Sequence, residues 1–178
     1  MRRKNEYDAS KLTQVATNKT VMSAYVDAFP IEQVKLRFAE FADASNVIDI
    51  YLSFEDALRI TQDIKSGKLF KDMQASQYPI QISFGGSSKE GQVESRSMTF
   101  GMQGDKVYVN AQKGPGKLSS TGAILPAGTP SKKVSVGMSL DAFKGVFLYI
   151  EAGINAYLPY LIKDLIKIAE ENRNKNQK

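Results

Sequence analysis

Apolar and polar residues alternate in several short segments of the 178-residue chain. In VKLRF (34–38) the apolar residues alternate with Lys35 and Arg37, which is typical of a half-buried strand with a basic outer face. The same alternation recurs in 47–52, 78–84, 97–102, 106–111 and 133–138. The turn sequences DASN and QGD predict two hairpins, over 34–52 and 97–111. The chain is therefore expected to form antiparallel sheets.

Two junctions between a strand and a helix follow one pattern. VIDIYLSFED (47–56) and KVSVGMSLDA (133–142) each contain three alternating apolar residues, a serine, an apolar residue and an acid. Ser53 and Asp56 have the spacing of a capping box, so the acids at this helix start are expected to cap the helix. The repeat predicts an α+β fold made of two β-then-α halves, each a set of strands closed by a helix.

The second helical segment, 140–168, contains apolar residues at spacings of three and four. Pro159 is expected to kink or break it, because proline lacks an amide hydrogen and clashes with the preceding turn. The apolar positions nearly encircle the helix axis, so burial on more than one side is expected, and a partner subunit is a natural source of that burial. We therefore predict a long kinked C-terminal helix and a homo-oligomer, a dimer or tetramer, held through it.

The polar ends of the chain suggest its domain limits. Residues 1–20 are polar and basic and are expected to form a flexible arm, or a weak first strand. A single domain of two halves is expected over 21–170, followed by a disordered tail over 171–178. The first residues have no apolar segment behind them, and the apolar run 146–168 is interrupted by charged residues, so neither a secretory signal nor a membrane span is expected. We expect a cytoplasmic protein.

The amino-acid composition of the chain limits the classes of function that it can have. The chain has 24 Lys and Arg against 19 Asp and Glu, a net charge of +5, which favours a polyanionic partner. It contains no Cys and no His, so it has no thiol nucleophile and lacks the commonest general base and metal ligands. We expect no enzyme, no catalytic residue, no metal and no cofactor.

The stretch KVYVNAQKGPGKLSSTG (106–122) runs from a strand into glycines and a lysine, as a phosphate-binding loop does. A P-loop requires a glycine five residues before Gly116 and Ser or Thr after Lys117, and the chain has Ala111 and Leu118 there. The residues that follow show no helical periodicity. A mononucleotide site is therefore not expected, and 112–132 is expected to be a long loop.

The alternative is a polymer-binding surface. No acidic residue occurs between Asp105 and Asp141, whereas five lysines do. Basic side chains interleaved with aromatic ones on a sheet surface suit a sequence-tolerant single-strand binder, because phosphates are held by charge and bases stack on rings. The competing explanation for each such residue is an ordinary solvated charge or a packed ring. The candidate nucleic-acid-binding residues are Lys35, Arg37, Tyr51, Arg96, Lys106, Tyr108, Lys113, Lys117, Lys132 and Lys133.

The order of elements over 20–168, with the serine-capped junctions at Ser53 and Ser139 and the kinked closing helix, resembles the whirly / transcriptional-coactivator superfamily of single-stranded DNA-binding proteins. Members of similar size occur in phages and other mobile elements. The lysine-glycine-lysine motif of plant whirly proteins is not found here. The resemblance implies that curved sheets bind the strand on their outer faces, through Lys35, Arg37, Tyr51, Lys106 and Tyr108, and that the closing helices hold the oligomer together.

The sequence thus predicts a largely sequence-independent binder of single-stranded DNA, or of RNA, acting in replication, recombination, DNA transfer or transcription. An OB-fold could carry the same chemistry, but it normally has one helix between its third and fourth strands. An assembly subunit that uses helix 140–168 as its contact surface is the alternative from another class. An enzyme relying on carboxylates ranks third.

Overall fold

A computed structural model describes residues 10–89 and 92–175. Within them the chain forms nine strands and three α-helices. The first half contains β1 (Lys11–Ala16), β2 (Thr20–Tyr25), β3 (Gln33–Glu40), β4 (Val47–Ser53), α1 (Phe54–Lys65) and α2 (Lys68–Ala75), with a 3-10 turn at Phe29–Ile31. The second half contains β5 (Ile80–Lys89), β6 (Gln92–Gln103), β7 (Lys106–Leu118), β8 (Ile124–Pro126), β9 (Lys132–Ser139) and α3 (Leu140–Lys175).

The strands form two antiparallel sheets. The first has the order β1-β2-β3-β4, and the second has the order β5-β6-β7, with both β8 and β9 paired to β7. β9 pairs with most of β7, from Lys106 to Lys113, whereas β8 pairs only with the end of β7, from Gly116 to Leu118. Each half is thus an antiparallel sheet closed by helical structure: four strands followed by α1 and α2 in the first half, and five strands followed by α3 in the second. The predicted α+β class and the two β-then-α halves are confirmed.

Serine caps start the helices that follow the sheets, as predicted. The Ser53 Oγ accepts a hydrogen bond from the Asp56 amide at 3.1 Å, and the Ser139 Oγ accepts one from the Ala142 amide at 3.2 Å. The Asp56 carboxylate accepts hydrogen bonds from Arg59 and from the Ser53 hydroxyl, and these hold the pKa of Asp56 below its ordinary value. Asp56 is therefore a helix cap.

The core lies between the two sheets and their helices. The inward residues of segments 34–38, 47–52, 106–111 and 133–138 are buried, and Phe38 of β3 and Phe100 of β6 are fully enclosed. Ile80, Ile82 and Met102 are only partly buried against this core. Phe100 packs edge-on against Phe143 of α3, with ring centroids 5.0 Å apart, and Phe147 lies 5.8 Å from Phe100. The first third of α3 therefore closes the core of the whole domain.

Beyond this core, α3 leaves the body of the protein. The predicted long C-terminal helix is present and continues through Pro159, so of the two expected effects of this proline, a kink or a break, the break does not occur. Its inward stripe is buried as far as Ile154, but Leu165 and Ile168 on the same stripe are more than half exposed. By length and composition, the span Leu140–Glu171 is the one helix among the described residues that could cross a membrane, and 22% of its most apolar window is buried.

Three predicted boundaries need correction. Of the two alternatives for 1–20, a flexible arm or a weak first strand, the structure shows the strand, because β1 pairs with β2; the domain therefore begins before residue 21, and residues 1–9 lie outside the described part. The expected tail over 171–178 begins inside α3, which reaches Lys175, and 176–178 are not described. The expected loop 112–132 is largely strand, because β7 runs to Leu118 and β8 folds back on it.

Candidate nucleic-acid interface

Lys35, on the outer face of the first sheet, is not a free cation. Its side chain is buried, with 6% of the residue exposed, and its Nζ forms an ion pair with the Asp27 carboxylate. The Nζ also lies 5.0 Å from the centroid of the Tyr25 ring. The prediction that Lys35 presents its charge to solvent is wrong, because a carboxylate eight residues earlier in the chain neutralises it.

Arg37 is neutralised in the same way. Its Nε and Nη2 donate to the two carboxylate oxygens of Asp49, both at 2.7 Å, a bidentate geometry that makes strong hydrogen bonds. Asp49 lies directly opposite Arg37 in the β3–β4 register. Tyr51 is 42% exposed beside this charge network. The first sheet therefore carries the predicted residues on its outer face but offers no unpaired cation among Lys35 and Arg37.

Arg96, Lys113 and Lys132 form one row across β6, β7 and β9. Because side chains alternate along each strand, the three cations lie on the same face of the second sheet as the buried core residues. They are at the far end of that sheet, beyond the core. Glu94 accepts hydrogen bonds from Arg96 at 3.0 Å and forms an ion pair with Lys113 at 2.7 Å. This row therefore lies apart from the outer face of the second sheet.

The row connects the two sheets. Arg96 donates through Nη1 to the backbone carbonyl of Asp49 at 3.3 Å, and Lys132 donates to the carbonyl of Ser45. Burial alone would raise the pKa of Glu94, but the hydrogen bonds from Lys113 and Arg96 outweigh it and hold that pKa below its ordinary value. These contacts explain the three cations as structural groups. Lys117 is exposed but lies near the end of β7, beside β8.

The remaining predicted residues share the outer face of the second sheet. Lys106 and Tyr108 alternate with buried residues along β7, and Lys133 lies on β9 directly opposite Gln112 of β7. Lys106 and Lys133 are exposed and Tyr108 is half-buried. This sheet face keeps the combination of cations and an aromatic ring that the sequence predicts.

Tyr108 lies between two glycines. Gly101 of β6 and Gly137 of β9 are its direct cross-strand neighbours. A Cβ built on Gly137 would come within 2.9 Å of the Tyr108 Cε1, so the ring leans over the backbone of β9 at a place that only glycine leaves open. A Cβ on Gly101 would make an ordinary contact with Pro79 at 3.5 Å. The ring also lines two surface hollows, so part of it remains open to solvent.

Three adjoining hollows run along this face, with volumes of about 290, 390 and 490 Å³. The first two share Tyr108, the first and third share Pro79 and Asn110, and the second and third share Thr20 and Ser135. Each pair of hollows thus shares part of its lining, so the three lie side by side on one surface. We call this surface the Tyr108 groove, defined by these five residues.

The groove has a basic lining. Lys106 and Lys19 line one hollow and Lys133 another, and Glu40 is the acidic residue among the described side chains that line the three. None of these three lysines forms an ion pair with a carboxylate in the described ranges. Lys19 comes from the turn between β1 and β2, which the sequence assigned to a flexible arm.

Sequence reasoning also missed an aromatic side chain at the rim. Tyr78, in the connection between α2 and β5, is 78% exposed and lines the first hollow with Pro79. Its position at the start of an alternating segment indicated only a strand. An exposed tyrosine beside a proline at the edge of a basic groove offers a second surface on which a base can stack.

Among residues 10–89 and 92–175, no group of three or more carboxylates comes together as a metal ligand set. Compared with models of protein families and with curated protein sequences, the chain matches none.

Proposed function

We propose that this protein binds single-stranded nucleic acid, foremost DNA, along the Tyr108 groove, and that it does so without catalysis. The observation that carries the proposal is the glycine-flanked Tyr108 ring on a sheet face whose lysines have no carboxylate partner in the described structure. Support also comes from the two antiparallel sheets, each followed by helical structure, which agree with the two β-then-α halves expected from the resemblance to the whirly-type superfamily.

The geometry favours a single strand over a duplex. A base must be unpaired and splayed out to stack on a ring that lies against a sheet, and each such stack contributes roughly 1–3 kcal/mol. The three lysines line the groove, where they can contact phosphates, and this contribution does not depend on sequence. Affinity is thus expected to be largely independent of sequence and sensitive to salt.

The test is binding of a fluorescently labelled single-stranded oligonucleotide followed by anisotropy. Tyr108→Leu is expected to weaken binding about 5- to 150-fold, the equivalent of one lost stacking contact. Tyr51→Leu is the matched control, because Tyr51 is an exposed tyrosine on the outer face of the other sheet. Equal effects of the two substitutions would show that binding does not use the groove, and tighter binding of a duplex would refute single-strand recognition.

The exposed part of α3 favours a second, compatible role in self-association. The inward stripe continues from buried Ile154 into Leu161, Leu165 and Ile168, of which the last two are more than half exposed. A stripe of this width is normally covered. We infer that a second copy of the chain covers it, since the same surface in each copy is then buried against its equivalent. An assembly subunit using this helix is the alternative function.

Self-association can be measured by sedimentation equilibrium. Leu165→Glu is expected to shift the protein toward monomer, because it places a charge within the stripe. Lys167→Glu is the matched control, introducing the same side chain on the opposite side of α3. A monomeric wild type, or equal dissociation by both variants, contradicts the inference.

A further inference from the structure

Asn110 lies next to Tyr108 on the outer face of β7, and its side-chain amide is held from both sides. Thr99 of β6 and Ser135 of β9 are its direct cross-strand neighbours. The Asn110 Nδ2 donates to the Thr99 Oγ1 at 3.3 Å, and the Ser135 hydroxyl donates to the Asn110 Oδ1 at 2.7 Å. The carbonyl is therefore directed toward β9 and the amino group toward β6.

Among the residues that the structure describes, this arrangement leaves half of the amide's hydrogen-bonding capacity unused. A side-chain amide has two N–H donors and two carbonyl lone pairs, and the hydroxyls of the same row take one of each. Both partners lie on the neighbouring strands. The amide held between them thus keeps one N–H and one lone pair as a donor–acceptor pair for a ligand.

The pair lies within the groove. Asn110 lines the hollow that also contains Tyr108 and Tyr78, and it lines the adjoining hollow with Lys133. Residues two apart on a strand project from the same face about 7 Å apart, so a base that stacks on Tyr108 lies close to the Asn110 amide. A nucleotide in this part of the groove can therefore contact the Tyr108 ring, the Asn110 amide and the Lys133 ammonium group.

We propose that Asn110 recognises an adenine base in the nucleotide that stacks on Tyr108. The inference rests on the proposed function and adds one specific subsite to an otherwise sequence-independent groove. Asparagine pairs with adenine by accepting from the N6 amino group and donating to the ring nitrogen beside it. Adenine also presents two fused rings to the tyrosine. An amide fixed by Thr99 and Ser135 loses little freedom on pairing, which favours binding.

The experiment compares an oligothymidylate with the same strand carrying one central adenine, by competition against a labelled strand. One adenine suffices, because the strand can shift until that base occupies the subsite. The wild type is expected to prefer the adenine-containing strand by about 5- to 150-fold, the range for one good bidentate pair. Replacing the adenine with cytosine or guanine is expected to remove the preference.

Two variants separate base recognition from general binding. Asn110→Leu keeps the side-chain shape and removes both hydrogen-bonding groups, so the ratio between the two strands is expected to fall to about one. Gln112→Ala removes another amide from the same face of β7 and from the hollow that contains Lys133; it controls for the loss of an amide elsewhere in the groove and is expected to leave the ratio unchanged even where it lowers the affinity for both strands. Ser135→Ala, which releases the carbonyl, is expected to lower the ratio partly.

The outcomes are distinguishable. If both strands bind the wild type equally, or if the preference survives in Asn110→Leu, recognition by Asn110 is wrong while the groove stands. A preference for another base also overturns the adenine assignment. If neither strand binds, the proposed function itself fails.

Discussion

Lys106 offers the sharpest test of how charge acts in the groove. It is exposed, lines the hollow beside Tyr108, and pairs with no carboxylate in the described part of the chain. Lys106→Gln removes one charge and keeps the length and polarity of the side chain. We expect the variant to fold as the wild type does and to bind single strands with a weaker dependence on salt.

The magnitude follows from the number of unpaired lysines. On single strands the slope of log affinity against log salt is about −0.7 for each phosphate neutralised. The three groove lysines predict a slope of about −2.1, so raising salt from about 50 to about 200 mM weakens binding about 18-fold. With Lys106 replaced the slope becomes about −1.4, and the same change in salt weakens binding only about 7-fold.

Anisotropy titrations at four or more salt concentrations measure both slopes. Lys71→Gln is the matched control: Lys71 is exposed on α2, on the side opposite its buried Leu69 and Met73, and does not line the groove. Its slope should equal that of the wild type. If Lys71→Gln reduces the slope as much as Lys106→Gln, the positive charge acts through the net charge of the protein, and the groove has no special role.

Three further predictions concern the fold. Phe147→Ala is expected to lower the free energy of unfolding by about 3–5 kcal/mol in urea titrations, because the ring is fully buried, and a loss below about 1 kcal/mol would contradict the packing described. Because the pKa of Glu94 is lowered, its contribution to stability is present above the ordinary pKa of 4.5 and is lost as the pH falls below that value. The difference in the free energy of unfolding between wild type and Glu94→Gln should therefore shrink on acidification. A difference that stays constant with pH would refute the assignment. Pro159→Ala is expected to increase hydrogen-exchange protection in the last part of α3, since proline disfavours a helix interior by about 3 kcal/mol relative to alanine; unchanged protection would mean that this part is held by other contacts.

Local patterns predicted much of the fold. Alternation over 34–38 and 106–111 identified the inward residues of β3 and β7, and the two serine caps located the junctions between sheets and helices. These features depend on residues close together in sequence. β8 and the full length of β7 were missed, because the glycines and proline in 112–118 indicate a loop.

The candidate site was predicted only in part, because it depends on which side chains meet across strands. The Arg37–Asp49 pair could have been predicted from the sequence, since the hairpin turn places these two residues opposite each other. The pairing of Lys35 with Asp27 could not, because Asp27 precedes β3 and its position depends on the 3-10 turn. The position of Gly137 beside Tyr108 depends on the β7–β9 pairing, for which no short turn sets the register.

The Tyr108 groove is built jointly by the two halves of the chain. The Thr20 hydroxyl of β2 donates to the Ser135 carbonyl of β9 at 2.9 Å, which places the turn carrying Lys19 beside the sheet carrying Lys106. Neither half by itself contains the complete groove, so a nucleic-acid strand bound in the groove would contact both halves. Bound nucleic acid would then oppose separation of the two halves. The melting temperature of the protein would rise with oligonucleotide concentration, since only the native state contains the assembled groove.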